Sequence, residues 1–206
     1  MSTTQTPIEP GRYYHLYNHA NKGFDLFRNK DNYSFFLQKY KKYVHPIADT
    51  YSYCLMPNHF HFLIRANSEN ENDRLSNSAS PQKEITNAIK NWLLSYSKSY
   101  HRAYSTRGNL YYQKIRRKEV LDEDYLFTLV GYIHMNPLKH RYVKTPEAWH
   151  FSSYNAYMGV GKTLVNREEV MNLFGGMENF SIYHDLKKAG KCVDRRQKDF
   201  GSLSLV

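Results

Sequence analysis

Cysteine is nearly absent from this chain. Cys54 and Cys192 are the only two in 206 residues, too few for a disulfide framework and wrongly spaced for a zinc site, which fits a reducing, cytoplasmic setting. Long apolar runs are missing too. No stretch approaches the roughly 18 apolar residues that span a bilayer, and residues 1–10 are polar without a signal-like apolar core. Secretion and a membrane partner are therefore not expected. Acidic residues are in the minority, 19 against 29 Lys and Arg, for a formal charge of +10. That surplus favours a polyanionic partner, nucleic acid before an acidic membrane surface, although charge alone fits a merely soluble basic protein equally well.

Aromatic residues are plentiful: nineteen tyrosines and eleven phenylalanines. The length suits one domain with an appendage and is sufficient to bury a core. Residues 12–20 (RYYHLYNHA) alternate apolar with polar side chains and read as a first strand closed by Asn21-Lys22-Gly23. His15 and His19 share a face of it, either lining a site or serving as partly buried structural histidines. Asp31 offers an N-cap for a helix whose stripe is Tyr33, Phe36, Leu37, Tyr40 and Val44. Alternation returns over residues 47–56 and, after Pro57-Asn58, over 59–66. Residues 67–81 (NSENENDRLSNSASP) are polar with little to bury and read as a mobile loop. Ile85, Ile89, Trp92, Leu93, Tyr96 and Tyr100 then form a second helical stripe. A third helix, capped by Asp122 or Asp124, buries Leu126, Leu129, Val130 and Ile133. Two short helices over 166–174 and 177–188 and a loose tail from Cys192 complete the chain. The expected architecture is α+β, an antiparallel sheet with helices packed on it, with a main domain over 1–158 and a helical extension and tail over 159–206.

Three stretches carry candidate chemistry. In YCLMPNHFHFLIRA, residues 53–66, His59 and His61 flank Phe60. The side-chain period of a strand is two, so both imidazoles leave one face in a chelating arrangement while Phe60 and Phe62 leave the other. With ten histidines in the chain, such a pair is by itself a weak signal. Residues 109–120 (NLYYQKIRRKEV) interleave rings with Lys114, Arg116, Arg117 and Lys118, a combination suited to holding single-stranded nucleic acid; a solvated charge run is the alternative. Third, GYIHMNPLKH, residues 131–140, places Tyr132 and Asn136 four apart on one helix face. Pro137 should end or kink that helix, leaving Asn136 in its last turn. A core-edge tyrosine and a cap ahead of proline fit the same residues.

The ordered set MPNHFHFLI, YIHMNP and WHFSSYNAY, with the NHANKG turn and CLMPNH lead-in, resembles the REP-associated tyrosine transposases, a branch of the single-tyrosine HUH transposases related to the IS200-like group. The likeness covers roughly residues 11–158. It implies a ferredoxin- or RRM-like HUH nuclease domain in which His59, His61 and Asn136 hold a divalent metal, magnesium or manganese, and Tyr132 is the nucleophile. His19 stands where many relatives carry arginine, and PLKHRY departs from the commoner glycine-containing segment.

The chemistry agrees with those residue types. A phenol needs help to attack a phosphodiester, and imidazole with amide-oxygen ligation leaves open metal positions to supply it. The implied reaction cleaves single-stranded DNA beside a hairpin through a covalent 5′-phosphotyrosine and rejoins it. Lys114, Arg116, Arg117 and Lys118 are the candidate DNA contacts, and a homodimer is possible by the same likeness. Two other readings stay open: a non-catalytic nucleic-acid-binding protein, and a metal phosphodiesterase that uses activated water.

Overall fold

The computed structural model describes residues 7–191; the tail expected from Cys192 lies outside them. The period-two segments form β1 (Tyr13–His19), β2 (Ala48–Met56), β3 (His59–Ala66) and β4 (Arg116–Val120), all paired antiparallel in the order β2-β3-β1-β4. Helix α1 (Lys30–Tyr43) joins β1 to β2, while α2 (Asp73–Ser76) and α3 (Pro81–Tyr104) lie between β3 and β4. This is the βαββαβ connectivity of the ferredoxin-like fold. Pro57-Asn58 makes the two-residue turn between β2 and β3, with Met56 paired to His59.

Helices α1 and α3 cover one sheet face. Phe60 and Phe62 enter it, 5.1 Å from the Phe36 ring and 4.4 Å from the Tyr40 ring respectively, and Trp92 donates to the Phe36 carbonyl at 3.2 Å. Burying a side chain of this size is worth about 1.5–3 kcal/mol. A one-residue slip of β3 would exchange both phenylalanines for both histidines in that core, so the apolar layer fixes the register that aims the imidazoles at the opposite face.

The opposite face is covered by α4 (Glu123–Lys139), with α5 (Tyr154–Met158), α6 (Arg167–Phe174) and α7 (Met177–Lys188) behind and beside it. Asp122 caps α4 by accepting from the Tyr125 amide at 2.7 Å, and Leu126, Leu129, Val130 and Ile133 are buried as the stripe predicts. A polar chain fastens α7 to α4: His184 Nδ1 donates to the Phe180 carbonyl (2.7 Å), His134 Nδ1 donates to His184 Nε2 (2.9 Å), and Ser153 Oγ donates to His134 Nε2 (2.8 Å). The carbonyl can only accept, and this fixes the direction of every bond above it. Residues 149–157 pack back on the body, with Trp149 Nε1 on the Leu55 carbonyl at 3.0 Å and Phe151 stacked on Tyr33 at 3.8 Å.

Three local expectations change. Asn29, not Asp31, caps α1, its Oδ1 accepting from Asn32 at 3.1 Å; Asp31 lies inside the first turn, where its charge still suits the helix dipole. Residues 67–81 are built rather than loose. Ser68 and Glu71 form a capping box, Asn72 caps α2 and reaches the Pro46 carbonyl at 2.7 Å, and Leu75 is fully buried. Pro137 does not end α4, which runs two residues further to Lys139, although Asn136 does lie in its last turn. Proline removes only its own donor, and the last turn is still closed by His140 on the Asn136 carbonyl (3.0 Å) and Tyr142 on the Pro137 carbonyl (2.9 Å).

Candidate active site

Strand parity and helix period meet where α4 crosses β3. His59 and His61 project toward α4, and from that helix come Tyr132, 39% exposed, and Asn136, 1% exposed. The His61 and Tyr132 ring centroids are 5.8 Å apart, and His59 Nε2 lies 3.5 Å from Asn136 Oδ1. His59 faces an amide oxygen on each side, and the shorter contact decides which nitrogen carries the proton. His59 Nδ1 faces Asn58 Oδ1 at 2.7 Å; an amide oxygen cannot donate, so the imidazole proton sits on Nδ1 and Nε2 is bare. Asn136 Nδ2 donates to the Tyr132 carbonyl at 3.2 Å, which turns Oδ1 toward His59. Two converging lone pairs with no proton between them suit a bound cation.

The histidines are held neutral. Burial, and next the neighbouring His19, push His59 down to about 4, while burial followed by His15 takes His61 well below its ordinary value. Neutral imidazole is the form that ligates. His61 Nδ1 is engaged with His15 Nε2 at 2.9 Å, leaving Nε2 as the nitrogen His61 can offer. The donor set, two buried neutral imidazoles and one carboxamide oxygen, fits a divalent ion with open positions. Among the described residues no group of three or more His, Cys, Asp or Glu could hold a metal, so a three-point site here needs the amide of Asn136.

Histidines beyond the predicted pair also converge. His15 orients His61, and His59 lies between His19, stacked at 4.9 Å, and His140 at 5.0 Å. Antiparallel pairing explains the first two, since β1 sets Tyr17 opposite His61 and His19 opposite His59. His140 had a sequence signal as well, standing four residues beyond Asn136 on the same helix stripe. Lys139 Nζ sits 5.3 Å from the Tyr132 ring centroid, a cation beside the phenol.

The four basic candidates divide. In the β1–β4 register Lys118 pairs with His15 and Arg116 with Tyr17, which puts both on the imidazole face. Arg117 pairs with Leu16 and points the other way, its Nη1 donating to Thr86 Oγ1 of α3 at 3.2 Å. Lys114 precedes the strand and lines a separate cleft with Lys90 and Arg117 on that far side. Among the described residues, no helix is long and apolar enough to cross a membrane.

No family model matches the chain, and no curated protein matches it. Among solved structures, the fold is similar to that of a REP-associated tyrosine transposase bound to a REP hairpin. The two share 17% identity at a TM-score of 0.55, over 79% of this chain and 93% of that one.

Proposed function

We propose that this protein is a metal-dependent single-tyrosine transposase or nickase, cleaving and rejoining single-stranded DNA beside a hairpin. One observation carries the reading: the phenol of Tyr132 stands beside His61, and Asn136 of the same helix sets its Oδ1 3.5 Å from His59 Nε2. The likeness in fold to a transposase bound to hairpin DNA supports the substrate class, as does the +10 charge.

His59, His61 and Asn136 would hold the ion, magnesium or manganese. Bound there, it would polarise the scissile phosphate and neutralise charge that builds on its oxygens. The chain's own residues do the rest. Tyr132 Oη attacks phosphorus and loses its proton to solvent; the P–O3′ bond breaks, and the departing 3′ oxygen takes up a proton to become the 3′-OH. The 5′-phosphotyrosine keeps the ester, so a second 3′-OH can reverse the step and join strands without a nucleotide cofactor. Arg116 and Lys118 supply positive charge on the same face for the DNA.

The test is a denaturing gel of labelled hairpin oligonucleotide incubated with the protein and manganese. A DNA-linked protein band is expected, lost in Tyr132→Phe and in His59→Ala. Cleavage that survives Tyr132→Phe would sink the tyrosine mechanism in favour of metal-activated water, and binding without cleavage would identify a non-catalytic protein.

A further inference from the structure

The proposed nucleophile also lines a concavity. A cleft of about 390 Å³ opens between β1, β4 and the first half of α4, with Tyr17, His61, Lys118, Tyr125, Thr128 and Tyr132 among its walls. The helical wall follows from spacing: residues 125, 128 and 132 differ by three and four and so share one face of α4. The sheet wall follows from register, since His15, opposite Lys118, and Tyr17, opposite Arg116, belong to the same face of β1. The volume is in the range of about 300–1,000 Å³ typical of ligand clefts.

The walls are chosen for something flat with a polar edge. Three tyrosines line it, and the Tyr17 ring is braced by His15, stacked on it at 4.7 Å. Lys118 Nζ is held 4.4 Å from the Tyr125 ring centroid and 3.3 Å from its hydroxyl, so an exposed ammonium stands at an aromatic surface. Thr128, exposed on the helix, adds a hydroxyl. Tyr132 and His61 belong to both this cleft and the candidate active site, so a group seated here adjoins whatever lies at the phenol.

We propose that this cleft receives a single unpaired nucleobase, that of a nucleotide adjoining the scissile phosphate, turned out of the strand and stacked on Tyr125. The proposal rests on the cleavage reading above and adds the determinant of which strand position is cut. Every base offers a π-face for stacking. Lys118 only donates, so it selects a base edge that presents acceptors. Tyr125 and Lys118 are thus assigned to substrate binding, and Thr128 to the rim of the cleft.

Two measurements test it. In the first, 5-iodouracil is placed at each position of the hairpin oligonucleotide's single-stranded flank in turn, bound to Tyr132→Phe protein, irradiated, and the crosslinked peptide mapped by mass spectrometry. A crosslink at Tyr125 or Tyr17 from one position is expected, and crosslinks confined to other residues overturn the assignment whether or not the protein cleaves DNA. In the second, single-turnover cleavage is followed with an abasic site on either side of the scissile phosphate. Removing the base that occupies the cleft should slow wild type about tenfold or more. Tyr125→Ala, and Thr128→Phe, which fills the cleft from an exposed position without deleting a wall, should show a similar loss on intact DNA and no further loss on abasic DNA. Wild-type rates within twofold on both abasic substrates, or losses that multiply, overturn the proposal. A wild type that crosslinks at Tyr125 but forms no covalent adduct would instead retire the cleavage reading and leave the base site standing.

Discussion

Gly131 stands immediately before Tyr132 and has almost no room above it. An added Cβ would meet Tyr183 at 2.3 Å from Cε1, 2.6 Å from the hydroxyl oxygen and 2.8 Å from Cζ. The ring cannot swing aside, because Tyr183 is fully buried between Phe127 (4.6 Å), Phe174 (5.2 Å) and His184 (5.3 Å). Gly131→Ala therefore sets two effects against each other. Alanine in a helix interior gains about 1 kcal/mol over glycine, and overpacking a closed core costs about 1–3 kcal/mol. With contact this close against a locked ring the upper half of that cost applies, for a net loss of about 1–2 kcal/mol. At about 2–4 °C per kcal/mol for a domain of this size, Tm should fall by about 2–8 °C. Thermal and urea unfolding followed by far-UV circular dichroism would measure it, with an unchanged urea slope showing that the unfolded state is the same. The sign should reverse in a Tyr183→Leu background, where the room exists and only the helix preference remains. A Gly131→Ala protein as stable as wild type, or more so, refutes the packing argument.

Three more outcomes follow from the same structure. His15→Phe keeps the ring but loses the bond that orients His61, so manganese affinity by titration calorimetry should fall about 10- to 100-fold; unchanged affinity would remove His15 from the site. Burial, the leading cause in each case, pushes His15, His59 and His184 down to about 4, so between that value and the unfolded histidine value near 6.5 the unfolded chain binds more protons than the folded one. Stability should be fully present above about pH 6.5 and decline as the pH falls toward about 4; urea midpoints that stay level across that window would contradict it. Asn29→Ala should destabilise by about 1 kcal/mol as a lost cap, whereas Asp31→Ala removes only a surface charge near the dipole and should cost about 0.3–1 kcal/mol, less at high salt; equal effects at high salt would restore Asp31 as the cap.

The layout was largely legible because two periods speak for themselves. Alternation alone set His59 and His61 apart from Phe60 and Phe62, and the four-residue step put Tyr132 and Asn136 together. What stayed hidden depends on pairing. Nothing local in RYYHLYNHA says that β1 will lie beside β3, and only that neighbour relation makes His15 and His19 companions of the metal-binding candidates rather than isolated core histidines. The same holds for Arg116, Arg117 and Lys118, one charge run until strand register sends its members to opposite faces. Residues 67–81 misled because their capping asparagines and serines also make a polar composition; their buried anchors, Leu75 and Pro81, carry no periodic signal.

Asn136 hangs from the carbonyl of Tyr132 by its own amide nitrogen, 3.2 Å away, and that bond has a mechanical consequence. The Tyr132 backbone and the Asn136 carboxamide, which carry the proposed nucleophile and the proposed oxygen ligand, therefore move together with α4. The interval left to vary is the one between α4 and the histidines on β3, so a displacement of that helix would change the approach of Asn136 to His59 and of Tyr132 to His61 together.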